Sequence, residues 1–268
     1  MTPDDEYAEL DEAPPATPAA TVVIFRNDPA RGAPQLLMVE RSASMNFAGG
    51  AAVFPGGRVD DADRVLAATL AAPGVDDETL DDLAGRVAAV RETIEETGLV
   101  VGIDRAVEHA EALAARAFLC EQGALAPVLE RHGWSLRLDD LTYFARWRPK
   151  HRHMRVFDTR FYLADLGTGA VDLLVDDTEN THLFWASAAE ALDLADTGKI
   201  KIIFPTRRNL ERLAGFASFA EARAHVEATP VQTITPFLEQ RDGAPWLSIR
   251  ADAGYPVTGE PMESVARG

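Results

Sequence analysis

The chain has 268 residues, 47% of them apolar, and a formal net charge of −17, enough to bury a core as one extended domain or two small ones. That charge argues against binding nucleic acid through phosphate contacts, which needs clustered lysine and arginine. An anionic substrate would need metal ions or a local cationic pocket. A single cysteine, Cys120, excludes an internal disulfide framework and a cysteine-rich zinc site.

Residues 1 to 20 are acidic and rich in alanine and proline, and read as a disordered tail. The β-rich runs Thr21 to Phe25 and Gln35 to Glu40 flank a turn segment with Asn27, Asp28, Pro29 and Gly32, which predicts a hairpin. A third strand, Ala51 to Phe54, stops at Pro55-Gly56-Gly57. Residues 58 to 79 are polar and alanine-rich with Pro73-Gly74, and predict a surface excursion carrying at most a short helix. A long helix follows through Thr97, with further helices at Glu108 to Gly123 and Ala126 to His132. Strands are expected at Tyr143 to Trp147, Arg155 to Leu163 and Thr181 to Trp185, then helices at 188–197, 206–214 and 219–228. Strands mixed with helices in no strict βαβ alternation suggest a mixed α/β sandwich. Residues 231–268 form a C-terminal extension. No apolar run approaches a membrane span and no basic-then-apolar leader opens the chain, so a cytoplasmic location without a membrane partner is expected.

The stretch Arg91-Glu92-Thr93-Ile94-Glu95-Glu96-Thr97-Gly98-Leu99 carries the most information. Leu83, Val87, Val90 and Ile94 recur at helical spacing as a core-facing stripe, which puts Glu92, Glu95 and Glu96 on the opposite, solvent-facing side. Gly98 reads as the helix stop. Like charges at this spacing repel, and carboxylates in a last turn face the negative end of the helix dipole. A hard divalent cation on the patch relieves both penalties; the plain alternative is a solvated acidic face.

Phe54-Pro55-Gly56-Gly57 followed by this stretch resembles the signature of the Nudix hydrolases, G-x5-E-x7-R-E-U-x-E-E-x-G-U, where U is a bulky aliphatic residue. The second half matches at Arg91, Glu92, Ile94, Glu95, Glu96, Gly98 and Leu99. Gly57 lies 34 positions before Arg91 where the signature has 14, so an insertion interrupts the box. Counted back from Arg91, the early glutamate falls on Leu83, with Glu78 the nearest acidic residue and out of register. Upstream, Leu36-Leu37, Arg41-Ser42, Gly50 and Phe54-Pro55-Gly56-Gly57 resemble the motif of a coenzyme A-cleaving branch, with Asn46 in place of its second arginine. The phrase Arg155 to Phe161 and the segment Phe204-Pro205-Thr206 to Ala214 are similar to an acyl-coenzyme A diphosphatase subgroup that also carries an insertion in the box.

The resemblance implies an α/β/α sandwich over residues 21–230 and hydrolysis of a diphosphate linkage with Mg2+ or Mn2+. Coenzyme A or acyl-coenzyme A is the leading substrate; ADP-ribose, nucleotide sugars and dinucleotides are alternatives, as is a non-catalytic binding module. Glu92, Glu95 and Glu96 then hold the metal with a carbonyl near Gly57. Arg91 orients a glutamate, and Glu179, shortly before Trp185, is a further carboxylate. Arg41 and Ser42 are candidate substrate contacts. So are Arg148 and Arg152, in a stretch where five of ten residues from Arg146 to Arg155 are basic; its plain alternative is a solvated turn. Asp158 reads as structural. The expected partner is a small nucleoside diphosphate derivative, and a homodimer remains open.

Overall fold

The computed structural model describes residues 15–42, 48–150, 156–168 and 180–265. Its centre is an eight-stranded mixed sheet. Strands β1 (Ala16–Asn27), β2 (Gln35–Arg41), β3 (Ala52–Val53), β4 (Gly56–Arg58), β5 (Thr142–Trp147), β6 (Val156–Thr168), β7 (Asn180–Ala186) and β8 (Thr233–Ile234) build it. The order is β3-β2-β1-β6-β5-β8, with β4 on β1 and β7 on β2. The hairpin expected between the first two runs is present, with Phe25 opposite Leu36. The long pairing of β1 is instead with β6, parallel, from Ala16↔Val156 onward.

Alternation along β1 sends Val22 and Ile24 to one face and Val23 and Phe25 to the other, and each face has its own core. Over the first pack α1 (Asp61–Leu70), α2 (Asp77–Thr97), α3 (His109–Gln122) and α4 (Leu125–His132). Over the second pack α5 (Ala188–Asp196), α6 (Phe204–Leu213) and α7 (Phe219–Ala228). The C-terminal part adds a three-stranded sheet, β9 (Phe237–Arg241), β10 (Ala244–Ser248) and β11 (Gly259–Pro261), and a last turn α8 (Met262–Val265). Its Leu247, Ile249, Tyr255 and Met262 complete the second core. The architecture is the α/β/α sandwich expected from sequence.

Three expectations need correction. The tail does not extend to residue 20: residues 16–20 already belong to β1, where Ala19 and Ala20 are buried. Residues 58–79 are not a plain surface excursion. They hold the ten-residue helix α1, which packs on α2 and buries Asp63 and Ala67. The glutamate side of α2 is only partly solvent-facing: Arg91 and Glu96 are buried, while Glu92 and Glu95 keep 14% and 22% of their side chains exposed.

Candidate active site

Helix α2 starts where the Asp76 side chain accepts the Thr79 N–H at 2.8 Å and stops where Gly98 turns left-handed at φ 70°. Its C-terminal half lies against β4. There Gly56 has φ 154°, and a Cβ would strike the Ala20 carbonyl. At Gly57 a Cβ would collide with the Glu92 carboxylate, so glycine is what lets the backbone reach that side chain.

Arg91 is the hub, with only 5% of its side chain exposed. Its Nε donates to Asp63 Oδ1 at 3.0 Å and its Nη2 to Asp63 Oδ2 at 2.9 Å, a bidentate grip on a carboxylate that is itself 1% exposed. Nη2 also donates to the Arg58 carbonyl at 2.9 Å. Nη1 donates to Glu92 Oε1 at 3.0 Å and Glu95 Oε2 at 2.9 Å. Glu96 accepts the Gly56 N–H at 2.8 Å, and Arg116 of α3 donates to the Glu95 carbonyl at 2.8 Å, covering an open end of the helix. Sequence placed Arg91 against a glutamate; the structure gives it two, and its bidentate partner is Asp63.

Burial dominates the electrostatics. It pushes the Glu92 carboxyl up to about 8, with Glu96 and Glu95 adding repulsion and Arg91 opposing. Glu95 is also raised, by burial first. Among the described residues no three acidic, histidine or cysteine side chains converge as a ready metal cage. Arg91 and the Gly56 N–H engage the carboxylate oxygens instead. The donor chemistry nevertheless fits a hard divalent ion: three carboxylates share one helix end beside a side-chain-free backbone, and burial disfavours the charged forms of Glu92 and Glu95, a penalty that a bound cation would offset.

Among the other expected site residues, Arg41 ends β2, and the pairing Val39↔Val53 sets that end beside the strand leading into Pro55-Gly56-Gly57. The Arg41 N–H donates to the Ala51 carbonyl at 3.0 Å, and its Nε is buried without a partner among the described residues. Ser42 follows it, partly exposed. Arg148 stands just past β5, at the other side of the sheet, its N–H donating to the Ile234 carbonyl at 2.9 Å. The structure does not join it to the glutamates. Glu179, Arg152 and Asn46 lie outside the described residues. Asp158 is structural as expected, gripped by Arg146 at 2.8 and 2.7 Å. Glu78 cannot stand in for the early glutamate: it sits at the opposite end of α2 from Glu92, about 21 Å along the axis at 1.5 Å per residue.

No family model matches the chain. Acyl-coenzyme A diphosphatase NUDT19 of Gallus gallus is 27% identical over 260 residues, covering 75% of this chain and 68% of that protein. A NUDIX hydrolase from Alicyclobacillus acidocaldarius superimposes with a TM-score of 0.65 at 28% identity, over 78% of this chain and 96% of that one. The chain is similar to Nudix hydrolases in sequence and in fold. Its counterpart of their signature box is in two pieces, and the structure shows where the break lies. Counted forward from Gly57, the signature's early acidic position is Asp63, with five residues between. Its carboxylate is the one that holds Arg91. The insertion therefore follows Asp63, and counting back from Arg91 missed it. A second legible signal was Asp60-x-x-Asp63 ahead of Val65-Leu66, a helix-start pattern in which the Asp60 N–H donates to Asp63 Oδ2 at 2.9 Å.

Proposed function

We propose that this protein acts as a Nudix hydrolase that cleaves the diphosphate of coenzyme A or an acyl-coenzyme A, giving 3′,5′-ADP and (acyl-)phosphopantetheine. The observation that carries the reading is the Glu92–Glu95–Glu96 helix end, pinned by Arg91 and Asp63 against Gly56-Gly57. The similarity to a protein named as an acyl-coenzyme A diphosphatase supports the substrate, as does the Arg41-Ser42 to Gly57 phrase.

In this reading Glu92, Glu95, Glu96 and a carbonyl near Gly57 hold Mg2+ or Mn2+, with Glu179 as a further catalytic carboxylate. A divalent ion supplies neutralisation of the charge building on the phosphate oxygens and an activated water. Arg91 fixes the rotamers of Glu92 and Glu95, so little ordering is left to do when the substrate arrives. Gly56 and Gly57 keep the wall beside Glu92 free of side chains. Arg41 and Ser42 bind the substrate beside the diphosphate, while Arg148 and Arg152 take a non-reacting phosphate. A buried box of paired carboxylates favours this over a pure binding module, which has no need of them. The expected setting is cytoplasmic, without membrane or nucleic-acid partners; no helix among the described residues is long and apolar enough to cross a membrane.

The test is a panel of coenzyme A, acyl-coenzyme A, ADP-ribose, nucleotide sugars and dinucleotides with Mg2+ or Mn2+, products identified by mass spectrometry. Preferred release of 3′,5′-ADP from the coenzyme A substrates is expected. Preference for ADP-ribose or a dinucleotide would move the substrate assignment within the family, and no turnover of any substrate would overturn it.

A further inference from the structure

The last turn of α2 carries Glu95 and Glu96, and one of its carbonyls has lost its helical donor. The Gly98 N–H donates to the Ile94 carbonyl at 3.0 Å, and the left-handed turn at Gly98 then carries the chain off the helix. The Leu99 N–H would be the regular partner of the Glu95 carbonyl, but it donates to Thr97 Oγ1 at 3.1 Å. Arg116 Nε takes the vacated carbonyl at 2.8 Å. Arg116 stands on α3 next to Ala115 and one turn from Ala112 and Leu119, whose burial seats that helix against α2. The Glu95 carbonyl is its one hydrogen-bond or ion-pair partner among the described residues, so no carboxylate draws the guanidinium there. Glu95 is thus held at two points: Arg91 Nη1 on its carboxylate at 2.9 Å and Arg116 on its backbone.

We propose that Arg116 is a positioning residue of the candidate site. By supplying the missing donor to the Glu95 carbonyl, it fixes the backbone from which Glu95 and Glu96 project, and so sets where those two carboxylates meet a divalent ion. A cationic donor suits this place, because the carbonyls of a last turn form the negative end of the helix dipole. Without it the turn frays into water, while Glu92, a turn earlier, keeps its helical bonds. The segment that follows the box therefore acts on the site through one hydrogen bond. The signature gives no hint of this, since Arg116 lies 17 residues beyond Leu99. The divalent ion rests on the diphosphatase reading; the hold on the turn does not.

Two measurements on the full chain keep those apart. Hydrogen exchange read by mass spectrometry, without metal, follows the turn itself. Arg116→Met keeps the stem and removes the donor; it should speed exchange of the Gly98 and Leu99 amides about tenfold, the loss expected for one charge-assisted hydrogen bond. Amides of α2 before Arg91 should exchange as in the wild type, and Arg116→Lys should recover part of the protection. Unchanged exchange in Arg116→Met overturns the proposal whether or not the chain binds metal. The second measurement is Mn2+ affinity by isothermal titration. Arg116→Met should bind about tenfold more weakly, the scale of losing a group that orients a metal ligand, with Arg116→Lys closer to the wild type. Arg131→Met is the control: it removes a cation of α4 that lies 4.3 Å over the Phe118 ring of α3, and should leave affinity unchanged. Equal losses in Arg116→Met and Arg131→Met would assign the effect to charge or to α3–α4 packing and overturn the positioning role. A wild type that binds no Mn2+ overturns the metal reading alone, and the exchange rates then decide the role of Arg116.

Discussion

Arg91 decides the geometry of the site, and Asp63 decides Arg91. Asp63→Asn keeps the shape but surrenders the charged bidentate grip, so kcat should fall by about 10–100-fold, the usual cost of losing a carboxylate that orients a ligand-bearing group. KM and the folded state should change little; a fall in activity that only tracks a fall in melting temperature would contradict this. Glu92 makes a pH prediction. Its carboxyl, held near 8 by burial against 4.5 unfolded, adds stability that is complete below about 4.5 and disappears as pH rises through about 8. The metal-free protein should therefore melt lower as pH climbs across that window. Over the same range Mg2+ or Mn2+ affinity should rise by up to about tenfold per pH unit, because the ligand must first lose its proton. Isothermal titration at stepped pH reads this directly, and a flat affinity between about pH 6 and 8 would contradict the assignment of Glu92 as a ligand.

At the scale of elements, most of the sandwich was legible because its strands alternate and its helices are periodic. The hairpin of β1 and β2, the stop at Gly98 and the helices around 109–132 follow from local patterning alone. What was not legible depends on tertiary partners. The start of β1 holds Pro18 and small alanines, and becomes a strand because β6 pairs with it on one edge and β4 on the other. Helix α1 reads as polar loop because its anchors are one aspartate and one alanine, Asp63 and Ala67, rather than a broad apolar stripe. The glutamates were expected in solvent because periodicity shows which side of a helix is apolar, not what covers the other side; here Arg91, Asp63 and β4 do. Short strands such as β8 and β11 carry too few residues for any period to show. If α1 serves to deliver Asp63, then Ala67→Asp, which breaks its packing, should depress kcat about as far as Asp63→Asn does. Val65→Ser, at a position 68% exposed, should leave kcat unchanged. Comparable losses from both would mean that α1 acts through its outer surface.

At the scale of the whole molecule, the two faces of the sheet do different work. One buries α2 and carries the candidate site. The other joins β5, α6 and the C-terminal strands through a buried set in which Tyr255 Oη donates to Asn209 Oδ1 at 2.7 Å and Trp147 Nε1 donates to Tyr255 Oη at 3.2 Å. Tyr255→Phe removes that link and should cost about 1–3 kcal/mol in denaturant unfolding, leaving a buried amide oxygen with a poorer partner, while kcat stays at the wild-type value. On the first face, hydrolysis of a diphosphate is proposed to run on Glu92, Glu95 and Glu96 at the end of α2. The most direct measurement is Mg2+-dependent release of 3′,5′-ADP from coenzyme A by the wild type and by Glu95→Gln and Glu96→Gln, with circular dichroism confirming that each is folded. Turnover lowered by orders of magnitude in both folded variants is predicted; wild-type rates in either, at saturating metal, would contradict the account.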